Sequence, residues 1–238
     1  MLSVLYLIFN AGYTAPSGNE LIRHDLCTEA IRLTRTLADL LVKEPALSED
    51  PEVLGLLALM LLHDARRRTR VNSGGELVVL ADQDRMLWDQ QEIAEGVAVL
   101  EQALAMQNPG PYQVQAAISA LHAQARRPEE TDWAQITMLY DLLYEMMPSP
   151  VVELNRAVAV AMSEGIESGM LLLDRLAEAG ELDDYYLFHA ARADLLRRSG
   201  KVDEAYSAYT RALELCQNNT ERSFLHHRLA EINGQTDQ

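Results

Sequence analysis

Cysteine, proline and glycine are scarce in this chain: two, eight and twelve in 238 residues. Cys27 and Cys216 belong to no C-x-x-C pair, so neither a disulfide framework nor a cysteine zinc site can be read, and two free thiols fit a reducing compartment. Runs of β-branched residues and sustained apolar–polar alternation are also missing, which removes the case for a sheet. There is no long apolar stretch. The densest, Val53 to Leu62, has ten residues, where a bilayer needs about 20. No Gly-rich phosphate loop, H-E-x-x-H, G-x-S-x-G or nucleophile with a base beside it occurs, so no catalysis, cofactor or metal is expected. Positive charge is short as well. Twenty Lys and Arg stand against 36 Asp and Glu, a net charge of −16. Such a surface repels phosphate, and direct nucleic-acid binding is not expected.

Leucine and alanine fill the composition instead. Hydrophobic residues make up 48% and mean hydropathy is −0.11, the profile of a soluble helical protein. The opening "MLSVLYLIFNAGYTA" has no basic residue ahead of its apolar run; the first is Arg23. That is not the layout of a signal peptide, and a cytoplasmic protein is expected. Leu2, Leu5, Ile8 and Phe9 recur at helical spacing and predict a buried first helix that Asn10 and Gly12 end.

A capping box at Ser17 and Glu20 starts a second helix, whose face runs through Ile22, Leu26, Ala30, Leu33, Leu37 and Leu40 to a stop at Glu44-Pro45. Asp50-Pro51 starts a third, apolar on all sides and therefore central. Val71 to Leu80 reads as an extended loop, since a lone strand has no partner. Helices follow over Gln90–Ala105, Tyr112–Arg126, Asp132–Met146 and Pro150–Ser163.

From Pro150 the pattern is helix, short Gly turn, helix, twice. Gly165 and Gly200 are 35 positions apart, close to the tetratricopeptide period of 34. Ala193, Gly200, Ala205, Tyr209 and Ala212 sit where such a repeat packs small and aromatic side chains between antiparallel helices. The earlier pair fits poorly, with Met170 and Asp174 in place of the second alanine and the aromatic. A helix over Thr220–Ile232 caps the stack. The expected fold is all-α, about eleven helices. An irregular helical bundle (1–147) precedes tetratricopeptide-like helix pairs of α-α superhelix type (148–238), packed as one unit.

Three stretches carry chemically capable residues. His24, Cys27 and Glu29 form an incomplete ligand set for metal. "LLHDARRRTR" places His63, Asp64, Arg66, Arg67, Arg68 and Arg70 at the end of the buried helix. It reads either as a phosphate patch or as cations at a helix C-terminus, some of them paired within the protein. "LADQDRMLWDQ" holds Asp82, Gln83, Asp84, Arg85, Trp88 and Asp89. Two carboxylates two residues apart suit acid–base work, and Arg85 beside them suits an ion-paired brace between helices. Gln115 and His122 share one face of a later helix, and Gln113 lies on another. Taken together, His63, Arg66, Arg67, Asp82, Gln83, Asp84, Arg85 and His122 form a candidate polar cluster, structural or partner-binding.

Eight strings, in order, carry a likeness: "LYLIFNAGYTA", "DLCTEAIRL", "GLLALMLLHDARR", "DQDRMLW", "GPYQVQAAISALHA", "DW" with "LYDLL", "PVVELNRAVAV" and "RADLLRRSG". They resemble the C-terminal, tetratricopeptide-like extension of bacterial RNA polymerase sigma factors of the extracytoplasmic-function type, over nearly the whole chain. That family usually has Glu where Ala11 stands here. Its two promoter-reading modules have no counterpart in this chain, so the first helix looks like the start of the extension, with those modules cut away or never encoded. The resemblance implies a regulatory, protein-contacting domain that modulates transcription initiation. Its implied partners are the sigma modules, core RNA polymerase, or a peptide or helix in the repeat groove. A free-standing helical-repeat adaptor and a small-molecule sensor are the alternative readings.

Overall fold

The computed structural model describes residues 1–14, 22–43 and 50–236. Among them are eleven α-helices and no strand; one antiparallel bridge, Val71 to Leu77, closes a loop. The chain divides into two compact units, Met1–Asp132 and Trp133–Gln238.

The first unit holds α1 (Leu2–Tyr13), α2 (His24–Lys43), α3 (Glu52–Asp64), α4 (Gln90–Ala105) and α5 (Pro111–Gln124). Its axis is α3, in which Leu56, Leu59, Met60, Leu61 and Leu62 are shut off from solvent. Phe9, Cys27 and Ala30 cover one side of α3, and Trp88, Ile93, Leu100 and Ala116 cover another. A helix apolar all round is stable only when enclosed, and each fully buried leucine contributes about 1.5–3 kcal/mol. The start of α3 follows its sequence: Pro51 has φ −65°, and the Asp50 carboxylate accepts the Glu52 N–H at 3.0 Å. Glu52 then reaches across to α5, accepting the backbone N–H groups of Tyr112 at 2.8 Å and Gln113 at 3.0 Å. Those donors have no partner inside their own helix.

Two expectations for this unit change. Asn10 and Gly12 do not end α1, which continues to Tyr13; Gly12 is instead a crossing point. A Cβ there would lie 2.8 Å from the Arg23 carbonyl oxygen. The buried line of α2 runs through Cys27, Ala30, Ile31 and Thr34, while Leu40 is 54% exposed, so the expected face is rotated and stops short. The Ser17–Glu20 capping box and the Glu44-Pro45 stop lie outside the described residues.

The second unit contains α6 (Trp133–Met146), α7 (Pro150–Ser163), α8 (Ile166–Ala179), α9 (Tyr186–Arg198), α10 (Val202–Leu215) and α11 (Asn219–Thr236). The unit begins at Trp133 because α6 packs on α7, whereas the sequence reading set its break after Met147. The pairs α7–α8 and α9–α10 turn at Gly165 and Gly200, with φ of 112° and 79°, a region that residues with a Cβ seldom enter.

The register of the two pairs differs from the spacing of those glycines. Helix α8 starts one residue after its glycine and α10 two residues after its own, so equivalent positions are 36 apart, not 35. At that offset Ala157 matches Ala193, Gly169 matches Ala205, Leu173 matches Tyr209 and Leu176 matches Ala212, and all eight are buried. The first pair therefore does not lack its small residue. Gly169 occupies the place, and Leu173 fills the gap taken by the aromatic in the second pair.

At Gly169 a Cβ would come within 2.4 Å of Ala161 Cβ and 2.6 Å of the Ala157 carbonyl oxygen, atoms fixed to α7. Gly169→Ala gains about 1 kcal/mol of helix propensity and meets an overpacking cost of about 1–3 kcal/mol. Chemical denaturation is expected to show a net loss of stability. A more stable variant would mean that α7 and α8 can separate freely.

Candidate functional site

The site begins where α3 runs out. An enclosed helix ends in His63-Asp64, and a 3-10 turn over Arg67–Thr69 follows, flanked by Arg66 and Arg70. These polar side chains have to leave between the helices that wrap α3, and they leave in two directions.

In the first direction lie α1, α5 and the turn over 83–88. His63 Nε2 is 3.0 Å from Ser119 Oγ on α5, and its ring packs 5.1 Å from that of Tyr13. Arg66 donates to the Tyr13 hydroxyl at 3.0 Å. Arg70 donates to the Tyr13 carbonyl, with its guanidinium 3.7 Å above the Tyr13 ring. The hub is Trp88, 3% exposed. Its indole N–H donates to Thr69 Oγ1 at 2.9 Å, and the guanidinium groups of Arg85 and Arg66 lie 5.1 and 5.9 Å from its ring centre. The Thr69 hydroxyl proton is shared between the Arg66 carbonyl and Gln83 Oε1, at 3.0 and 3.1 Å. Gln83 Nε2 donates to the Val78 carbonyl at 3.0 Å, which pins the extended loop.

Arg85 departs from expectation. Its Nη1 donates to the carbonyls of His122 and Ala125, both at 2.9 Å, and its Nη2 to Thr131 Oγ1 at 3.3 Å. It braces elements as predicted, but its anchor is the carbonyl end of α5 rather than Asp82 or Asp84. The last carbonyls of a helix have no partner inside it and carry partial negative charge. Asp84 instead accepts the Met86 N–H at 3.0 Å, capping a short 3-10 turn, and Asp82 is exposed.

In the second direction Arg67 Nη1 donates to Asp64 Oδ2 at 2.7 Å and to Glu92 Oε2 at 2.8 Å. The side chains of Asp64 and Glu92 are 8% and 16% exposed. They form the floor of a groove of about 530 Å³ whose walls are α2 residues.

The protonation states follow from these surroundings. Burial, and then the nearby Arg66 charge, hold both imidazoles well below the ordinary histidine value, His122 at about 4. Both rings are neutral at pH 7. On the other side, burial and then the Asp64 charge push the Glu92 carboxyl up to about 7, and burial raises Asp64 too. Two carboxylates on one guanidinium hold a proton near neutrality.

The structure thus brings Arg66 and Arg85 to Trp88, links Gln83 to it through Thr69, sets His63 beside Tyr13 and Ser119, ties His122 in through its carbonyl on Arg85, turns Arg67 to Asp64 and Glu92 instead, and leaves Asp82 and Asp84 exposed. Sequence reasoning missed three parts. Thr69 and Tyr13 are single residues with no pattern around them. The Asp64–Glu92 pair joins residues 28 apart, although Asp64 does open the arginine run and Glu92 does stand in the first turn of α4. Cys27 is buried, donates to the Phe9 carbonyl and has its thiol pushed up to about 12 by burial, while His24 and Glu29 are exposed. Among the described residues no group of three His, Cys, Asp or Glu side chains is placed to hold a metal ion, and no helix is long and apolar enough to cross a membrane.

Residues 1–104 match a family of unknown function, DUF6596. The chain is also 45% identical, over 230 residues, to an uncharacterized protein of Rhizobium meliloti (strain 1021). That alignment covers 97% of this chain and 52% of the relative, so the chain spans about half the length of the curated relative it matches.

Two predictions follow from this geometry. Arg85→Lys keeps the charge but cannot reach three acceptors on two planar nitrogens, and leaving buried carbonyls unserved costs about 1–3 kcal/mol. Urea denaturation should show that loss; an unchanged midpoint would remove Arg85 from its bracing role. The second concerns pH. Glu92, raised in the fold, contributes stability that is complete below its unfolded value of 4.5 and lost as pH rises through about 7. The two histidines act oppositely: their contribution is complete above 6.5 and lost as pH falls toward and through the lowered values, about 4 for His122. Glu92→Gln should therefore raise Tm relative to the parent by an amount that grows, to several °C, from pH 5 to pH 8. Parallel Tm curves would overturn the assignment.

Proposed function

We propose that this chain is a regulatory, protein-contacting domain of the sigma-factor-extension type, working in the cytoplasm without catalysis of its own. The observation that carries the reading is where the resembling strings meet. "GLLALMLLHDARR", "DQDRMLW" and "GPYQVQAAISALHA" are distant in sequence, yet they supply α3, the Trp88 hub and α5, three surfaces of one buried interaction. The likeness thus falls on residues that build a joint. The length of the relative supports the same reading, because it leaves room for further modules outside the matched half. So does the charge. At −16 the chain suits a basic protein partner, such as a promoter-reading module, whose approach it would steer electrostatically.

A small-molecule sensor is the second reading. What favours it is a groove of about 740 Å³ between α4 and the end of α5, bounded by Arg85, Met86, Ile93, Val97 and Arg126. A pocket of that size is within the range for metabolites.

The test is association of the separately produced sigma modules with this chain, with and without core polymerase. Binding is expected at low ionic strength and should weaken as salt screens the opposed charges. No association in either condition at low salt defeats the regulatory reading. A metabolite that raises Tm in its place favours the sensor.

A further inference from the structure

We propose that the groove between α4 and the end of α5 binds an amphipathic organic anion, a carboxylate with an apolar chain, whose body lies along α4 and whose head sits at the Arg85 and Arg126 end. The proposal rests on the small-molecule reading of this groove and names the ligand class.

The walls set the body of the ligand. The groove is about 740 Å³, within the range for metabolites. Its long wall is one stripe of α4: Gln90, Ile93, Ala94, Val97, Ala98 and Glu101 recur at three- and four-residue steps and share a face. The middle four are apolar, and the two alanines leave room beside the helix. Ala123 and Ala125 at the end of α5 bound the other side. The stripe is about 16 Å long at 1.5 Å per residue. Met86 also lines the groove and is 84% exposed. It is a flexible apolar side chain held in water, and an apolar body in the groove would cover it.

Charge sets the head group. The chain has 36 acids against 20 bases, yet two guanidinium groups and one carboxylate line this groove. The two cations stand at one end: Arg85 donates to the carbonyl of Ala125, the residue before Arg126, at 2.9 Å. Its own carbonyl accepts from Gln90 Nε2 at 3.5 Å, at the start of the stripe. The carboxylate, Glu101, is about three turns further along α4.

These cations lack a counter-charge. Arg85 is 7% exposed, and its hydrogen-bond acceptors are two carbonyls and the Thr131 hydroxyl, all neutral. They satisfy donors without cancelling charge. Arg66 adds a second guanidinium at the same Trp88 ring. Of the two carboxylates that act on Arg85 from a distance, both are exposed, and Glu130 is paired with Arg127 at 2.7 Å. Arg126 is exposed and makes no ion pair among the described residues. A desolvated cation without a counter-charge is costly. A carboxylate entering the groove supplies that charge in hydrogen bonds assisted by it, while its chain leaves water against α4.

Titration calorimetry of the full chain with decanoate tests the proposal. The controls are decan-1-ol, with the chain but no charge, acetate, with the head but no chain, and decyltrimethylammonium, with the opposite charge, all below micelle-forming concentrations. Decanoate should bind about tenfold more tightly than decan-1-ol, and the other two should give no saturable binding. Arg126→Gln, an exposed substitution, should weaken decanoate about tenfold and leave decan-1-ol unchanged. Ala94→Glu, on the exposed side of α4, places a carboxylate in the groove and should abolish decanoate binding without lowering Tm. Equal affinity for decanoate and decan-1-ol overturns the anion assignment and leaves the groove a small-molecule site. The proposal also falls if decanoate does not bind, if decyltrimethylammonium binds as tightly, or if Ala94→Glu binds as the parent does. A metabolite of another class that raises Tm would then keep the sensor reading without this ligand.

Discussion

A helix that is apolar on every side has no face to offer water, and the first unit is organised by the need to enclose one. Val53 to Leu62 can be buried only if α1 and α2 close one side and α4 and α5 the other, as they do. That enclosure has a consequence at its end. The residues after Leu62 are His63, Asp64, Arg66, Arg67 and Arg70, and they emerge in the crevices between the wrapping helices rather than on an open surface. A charge placed there costs several kcal/mol unless partnered. The apolar helix thus creates the polar site, because it brings five charged or hydrogen-bonding groups to where each must find a partner.

The partners fall into two chemical kinds. On the Trp88 side the guanidinium groups of Arg66 and Arg85 meet carbonyls, hydroxyls and aromatic faces, with Glu129 and Glu130 acting on Arg85 only as distant charges. Neutral acceptors leave the positive charge in place, and that charge adds to burial in keeping His63 and His122 unprotonated. The arrangement is held in one ionisation state across the neutral range. On the Arg67 side the guanidinium meets carboxylates, one more than it can neutralise, and a proton is left in balance near neutrality.

The fold was largely legible because a central helix and a repeat of helix pairs both write a period into the chain. The errors are local and share a cause. Gly12 read as a stop because glycine ends helices, yet here its missing side chain admits α2. The turn glycines give a repeat period one residue short because α8 begins directly after Gly165, whereas Lys201 intervenes before α10. What the two pairs share is the distance between helix starts, 150 to 166 and 186 to 202, while the glycine's place within the turn differs; the buried small residues Gly169 and Ala205 therefore mark the register that the turn glycines do not. At the site, composition named the right segments but not their partners. Asp84 and Arg85 are neighbours in sequence, and adjacency suggested an ion pair. A short turn directs them apart, and nothing in the sequence announces that the end of α5 will lie beside Arg85.

The use of arginine across the molecule explains how so acidic a chain can contain so internal a set of cations. Arg85 serves the last carbonyls of α5, Arg67 the Asp64 carbonyl at the end of α3, and Arg222 the carbonyls of Leu213 and Cys216 at the end of α10. In each case one guanidinium nitrogen, Nη1, serves a carbonyl that the end of a helix leaves unpaired. These three cations serve internal acceptors, in a chain whose 36 acids outnumber its 20 bases. Exposed charge of one sign steers oppositely charged molecules from a distance but discriminates poorly among them, since exposed charge pairs contribute little once formed. Discrimination requires a place where a partner's charge is desolvated and its donors are matched.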